Sequence, residues 1–532
     1  MAKQIIIAGT PIAKFKIVYG KSLDAALELQ KYLALASGVK LPIIHDCEKA
    51  EHEIRVGKTN RTCSKLSYDG LSNHGFVIKV AGGNLIIAGN DEMGDLYGVY
   101  EFLDKYIGWR FVHKDTDYLK DGDVDLPEGL RYKFSPPYEY RQLDWPCTHD
   151  DAWRRKNGEN HLDFHWVGFV HTLSDLSELH NQGTGQPCLN DPEVLETVKK
   201  NVRKWLDNNP QAKIISVSQN DNQNYCKCEK CQATDAEEGS PAGTLLRFVN
   251  AVADDIKDDY PDVSIETLAY QYTRKAPLIT KPRDNVIIRL CSIECCFSHP
   301  LSDSECEVNK AFQHDIIEWG KICNRLYIWD YVTNFPHYIP PFPNFRVLLD
   351  NMRFFAENHV IGMYPEGNYQ SNSGEFAELR AYLLGRAMWN PYMTEAEYFA
   401  YMDDFLEGYY GKEAAPYIRK FIDFTLKESE GRHFNIWQKP FDIIPQEVYE
   451  ANFDEIEGWW NAAEEKAGTN LARVQKSRLQ WTYIKLMLKP DAEMAEPFFR
   501  TVQSLGIRWN EWHGPFTDDP DFTKSPIEWP HR

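Results

Sequence analysis

Asn220 and Asp221 stand at the exit of an apolar run, Ile214 to Ser218, and are followed by three closely spaced thiols, Cys226, Cys228 and Cys231. An amphipathic helix over Pro192 to Leu206 and a turn at Asn208-Asn209-Pro210 precede that run. A helix feeding a buried strand that ends in a polar and acidic pair is one step of a parallel barrel, where chemistry sits at the carboxyl ends of the strands. The pattern recurs. Other apolar runs lead into Asp144-Trp145, His171, Gln271-Tyr272, Glu294 with His299 beyond it, Trp329-Asp330-Tyr331, and Glu366 with Asn368 beyond it. Acids and aromatics repeated at strand ends describe a carbohydrate cleft. Cleaving a glycosidic bond takes a protonated carboxyl for the leaving oxygen and a second group to stabilise the oxocarbenium-like centre. Asp221 is the first candidate for the acid, with Asn220 orienting a substrate group. The alternative is a loop in which Asn or Asp caps the next helix. Glu294 and Glu366 are the next acids. Asp330, between Trp329 and Tyr331, is placed to hold sugar hydroxyls. Asp144, Trp145, His171, Tyr272, Arg289, His299 and Asn368 complete the substrate-binding set.

Cys226, Cys228 and Cys231 supply three of the four ligands that a structural zinc takes. The neighbouring sequence offers no evident fourth, so the expectation is no metal and no cofactor. A structural zinc holding the loop after Asp221 is the alternative. Cys291, Cys295 and Cys296 lie in or beside strand-like sequence and read as core or rim residues. No HExxH, P-loop or GxSxG motif occurs, which leaves zinc protease, nucleotide hydrolase and serine hydrolase chemistry without support.

The positioning elements follow from periodicity. Residues 1–132 read as a small α/β domain: strand-like runs at Ile5 to Ile7, Phe15 to Tyr19, Glu53 to Val56, Gly75 to Val80 and Asn84 to Gly89, and a helix from Ser22 closed by Gly38. Gly82-Gly83 joins two of the runs as a hairpin turn. Residues 133–395 alternate strand and helix patterns, as a (β/α)8 barrel does. Its strands are expected at Tyr140 to Trp145, Trp166 to Val170, Ile214 to Ser218, Glu266 to Tyr270, Val286 to Leu290, Leu326 to Trp329 and Val360 to Tyr364, with a further extended piece at Gln186 to Leu189. Residues 396–532 are mainly helical to about Leu505, with Gly506 closing the last helix and an irregular end from Phe516.

With 532 residues, the chain is long enough for two or three domains, and 43% apolar content supports large cores. Aromatics make up 13%, which suits sugar stacking and equally suits a large core. A net charge of −20 without a basic patch argues against nucleic acid as a partner. No apolar run is long enough to span a membrane, and the start carries too short an apolar run for a signal peptide.

Gly75 to Ile78 and Gly89 to Tyr100 resemble the small α/β domain that precedes the barrel in β-hexosaminidases and α-glucuronidases. Arg141 to Asp144, and Leu189 to Glu193 leading through a helix and strand into Asn220-Asp221, resemble hexosaminidase segments. Ser218 to Asn222 with the thiols, Thr267 to Thr273, Arg289 to Cys295, His299 to Leu301 and Trp329 to Tyr331 resemble a family of large Bacteroides-type proteins defined as a domain of unknown function. That family includes glycoside hydrolase family 163, endo-β-N-acetylglucosaminidases of complex N-glycans. The resemblance implies a glycan or glycoprotein partner, export to the periplasm or cell surface, and retention through the substrate's own 2-acetamido group. Asn220 would then position the acetamide and Asp221 protonate the glycosidic oxygen. Hexosaminidases carry Asp-Glu where this chain has Asn-Asp. A shorter acid reaches less far, so Asp221 is alternatively the acetamide-orienting group, with Glu294 or Glu366 as the acid. An α-glucuronidase-like exo-hydrolase using Arg141, Arg274 or Arg289 against a uronate, and a silent glycan-binding protein, are the rivals.

Overall fold

A computed structural model describes residues 2–61, 67–178 and 185–511. The irregular end from Phe516 lies outside the described residues.

The N-terminal layer is a six-stranded sheet in the order Arg131–Phe134, Phe76–Ala81, Asn84–Gly89, His52–Val56, Phe15–Tyr19, Ile43–His45. The expected hairpin forms: Phe76 to Ala81 pairs antiparallel with Asn84 to Gly89. Gly82 and Gly83 turn between them at φ 60° and 72°, where a side chain would be strained. The helix Leu23–Ser37 ends at Gly38 in the left-handed region, as expected. Ser22 occupies its N-cap position but makes no side-chain cap bond; its hydroxyl donates to the buried Asp95 instead. Ile5–Ile7 leaves this sheet and pairs parallel with Val124–Leu126.

Among the described residues, seven parallel strands form one curled barrel sheet that is not paired between its first and second strands, whereas an eighth was expected to help close it: Tyr140–Arg141, Trp166–Val167, Ile214–Ser216, Ser264–Ala269, Val286–Cys291, Leu326–Tyr331 and Val360–Glu366. These are the seven runs expected from sequence, the first and second much shortened. The strand order runs from the first to the seventh, then back through the sixth to the second. The seam between the first and second strands carries aromatic rings: Tyr140 lies 5.7 Å from Trp166, 5.2 Å from Phe164 and 5.5 Å from Tyr327. Inside the barrel, Arg289 pairs with Glu266 at 2.8 Å, both fully buried. The guanidinium lies within cation–π range of Phe169 at 4.4 Å and Trp329 at 4.6 Å. The Gln186 to Leu189 piece forms no strand.

Helices Glu395–Tyr410, Ala415–Glu428, Phe453–Lys466, Leu471–Leu488 and Ala492–Ser504 make the C-terminal layer. Gly506 follows the last at φ 64°. The barrel and this layer share one continuous apolar core, whereas the N-terminal sheet has its own. Trp389, at the end of helix Ala377–Trp389, enters that second core, 5.4 Å from Phe134, and donates to Glu101 at 2.9 Å.

Candidate active site

The C-terminal ends of the strands open into a cavity of about 620 Å³. Because side chains alternate along a strand, the sixth strand sends Trp329 and Tyr331 into it, and the seventh sends Glu366. Tyr270 and His171 come from the fourth and second strand exits. Trp437, Ile436 and Glu511 reach in from the C-terminal layer.

Glu366 is the most perturbed acid of the cavity. Burial pushes its carboxyl up to about 8, with the neighbouring Asp144 and Glu511 carboxyls adding to the rise. Trp329 Nε1 donates to Glu366 Oε2 at 2.8 Å, which works in the opposite direction. Asp144 forms an isolated parallel bridge with Glu366 and accepts the Tyr364 hydroxyl. Burial raises the Asp144 carboxyl too. At neutral pH Glu366 therefore holds a proton beside a cavity lined by aromatic rings, the requirement for a general acid.

Asp221 lies on the cavity wall and accepts the Tyr270 hydroxyl at 3.0 Å. Glu511 is half-buried, and burial, with Asp221 nearby, raises its carboxyl. Glu294 is 41% exposed and bound by Arg274 at 3.0 Å, the same arginine that holds Asp315. His171 Nδ1 meets the Gln219 carbonyl at 2.7 Å, and since a carbonyl only accepts, Nδ1 is the donor. His171 and Gln271, both on the wall, adopt φ 55° and 51°. Such backbone strain in non-glycine residues concentrates at functional sites.

Residues 112–423, more than half of the chain, match the model of the family described as Domain of unknown function (DUF4838). The chain belongs to this family. Residues 16–102 further match the Glycosyl hydrolase family 67 N-terminus. No curated protein matches the chain. Similar solved structures include a chitobiase from Flavobacterium johnsoniae, at TM-score 0.48 and 10% identity over 94% of both chains. A GH138 enzyme targeting pectin rhamnogalacturonan II gives 0.47 and 10%, covering 92% of this chain and 72% of that one. A family 89 glycoside hydrolase from Clostridium perfringens, in complex with 2-acetamido-1,2-dideoxynojirmycin, gives 0.45 and 12%, covering 91% and 65%. At these TM-scores the likeness decides nothing about activity.

Several residues expected in the DUF4838 site lie elsewhere. The Asn220 side chain is held by the Ser174 amide and the Gly185 carbonyl, and its backbone by Gln186. It joins loops and is not on the cavity wall. Asp330 sits between two cavity residues of one strand and so faces away; it accepts Ser292 Oγ at 2.6 Å, and burial raises it to about 6. Arg289 is locked in the barrel interior. Trp145 is buried against Gly367, where any Cβ would overlap the indole. Asn368 is buried and donates to the Ser371 and Ser373 carbonyls. Tyr272 stacks on Tyr225 at 4.4 Å, beside the thiols. The His299 ring lies 4.4 Å from that of His433, tilted by 37°, away from the cavity. Cys188 joins Cys226, Cys228 and Cys231 as a fourth thiol, supplying the ligand the local sequence lacked.

Tyr270, Glu511 and Trp437 are on the wall and were not expected there. Tyr270 directly follows the fourth strand, two residues after the inward Leu268, a periodic signal that could have identified it. Glu511 and Trp437 arrive from distant segments and carry no local signal.

Proposed function

We propose that this protein is a glycoside hydrolase with Glu366 as general acid. The observation that carries the reading is a carboxyl raised to about 8 by burial, facing a cavity with further carboxylates and exposed aromatic surface. Trp437 is 44% exposed and Tyr369 39%, as platforms for sugar rings would be.

The finer reading is cleavage of N-acetylglucosamine-containing glycans, endo-acting on N-glycans as in family 163, with retention through the 2-acetamido group. Asp221 suits the acetamide: its carboxylate, fixed by the Tyr270 hydroxyl that it accepts, has lone pairs left to accept the acetamide N–H. Asp221 thus takes the orienting role and leaves the proton donor's role to Glu366. A uronate substrate is disfavoured. Among the described residues lining the cavity none is Lys or Arg, while Asp221, Glu294, Glu366 and Glu511 are acidic. Arg141, which also makes backbone bonds to the Gly158 and Tyr138 carbonyls, and Arg289 are buried, and Arg274 is engaged by two carboxylates.

The test is glycan release from a complex N-glycoprotein, read by mass spectrometry, for the parent and Glu366→Gln. Cleavage within the chitobiose core by the parent, abolished in the variant, is expected. Release of uronic acid, or binding of glycan without cleavage of any N-acetylglucosaminide, would replace this reading with one of its rivals.

A further inference from the structure

We propose that the chain holds two structural zinc ions, one at Cys188, Cys226, Cys228 and Cys231 and one at Cys296, His299, Cys306 and His433. Each set offers four ligand atoms that all lie within 4.8 Å of one another.

The distances fit a metal better than bridges. Cys188 Sγ lies 3.9 Å from Cys228 Sγ and 3.7 Å from Cys231 Sγ. A disulfide needs about 2.05 Å, whereas tetrahedral zinc with Zn–S near 2.3 Å sets its sulfurs about 3.8 Å apart. In the second set, Cys296 Sγ is 3.3 Å from His299 Nδ1 and Cys306 Sγ is 3.8 Å from His433 Nδ1. The corresponding tetrahedral S···N edge is about 3.6 Å. Four thiols, or two thiols with two imidazoles, are donor sets that zinc takes in structural sites.

The surroundings are built alike. Cys228 is the N-cap of helix Glu229–Glu238, and Cys306 that of helix Glu307–Ile322. Asn190 Nδ2 approaches Cys231 Sγ at 3.4 Å, and Asn309 Oδ1 accepts the Cys296 amide at 2.8 Å. In each set one ligand comes from far along the chain, Cys188 in the first and His433 in the second. Zinc at the first set fastens the Gln186 segment to the loop after Asp221. Zinc at the second fastens the loop after the fifth strand to the segment bearing Ile436 and Trp437, where the Phe297 amide already donates to the Phe434 carbonyl at 2.9 Å. The two ions would brace opposite contributions to one cavity rim without touching substrate.

Elemental analysis of the full chain and of Cys188→Ser and His433→Ala tests this. Two zinc ions per chain are expected, falling to one in either variant. Zinc X-ray absorption on the parent, which needs no variant to fold, should average three sulfurs and one nitrogen per metal. A remaining S4 signature in His433→Ala, and S2N2 in Cys188→Ser, would assign each site. Absence of zinc, iron in its place, bridged thiols by mass, or zinc content that a variant leaves unchanged would overturn the site concerned.

Discussion

Glu366 and Glu294 are the same side chain at the ends of two barrel strands, yet the cavity treats them oppositely. Glu366 lies at the floor, buried, with a single indole donor at 2.8 Å and two acids nearby. Glu294 lies at the mouth, 41% exposed and held by an arginine. Removing water penalises the charged form. Floor and mouth therefore differ in kind: the buried carboxyl keeps its proton, and the exposed one is tied to an arginine.

The largest break in that contrast should come from Glu366→Gln, which removes the donor. Activity on a natural glycan should fall by about 10²–10⁴-fold, with a smaller loss on an aryl glycoside whose leaving group needs no proton. The same variant tests linkage. The native state keeps a proton that the unfolded chain releases near the ordinary glutamate value, so parental stability declines as pH rises toward about 8. Thermal melts across pH should show a smaller decline for Glu366→Gln. Asp221→Asn comes next: it should cost about 10²-fold on N-acetylglucosaminides, seen mainly in kcat, and far less on substrates lacking the acetamide. Two variants sharpen the floor itself. Activity of the parent should fall as pH rises through about 8, when Glu366 ionises. Trp329→Phe removes a bond that favours the ionised form and should move that limb up by roughly half to one unit. Asp144→Asn removes a like-charge neighbour and should move it down. Glu294→Gln, at the mouth, should change kcat/KM by only about two- to threefold; a loss as large as that of Glu366→Gln would erase the distinction between floor and mouth.

The seven barrel strands were readable because strands buried on both faces leave near-continuous apolar runs. Which residue of each run faces inward was harder. Trp329, Asp330 and Tyr331 read as one polar-aromatic strand end, but a period of two turns Asp330 away. Asn220 and Asp221, adjacent in sequence, part company because Gln186 and Ser174 claim the first. Glu366 was legible as a strand-end acid, but its raised proton affinity depends on packing that no local pattern encodes. The fourth thiol, Cys188, lay within a stretch that read as extended chain, and His433 lies far from the three residues it joins.

Trp389 carries a consequence for how this architecture can change. The helix that leaves the seventh strand ends by inserting that indole into the core of the N-terminal sheet. A barrel cut free of the sheet would expose Trp389 and leave Glu101 without one of its two donors, the other being the Tyr132 hydroxyl. The N-terminal layer is thus no interchangeable module: exchanging it would require a matching socket for this tryptophan.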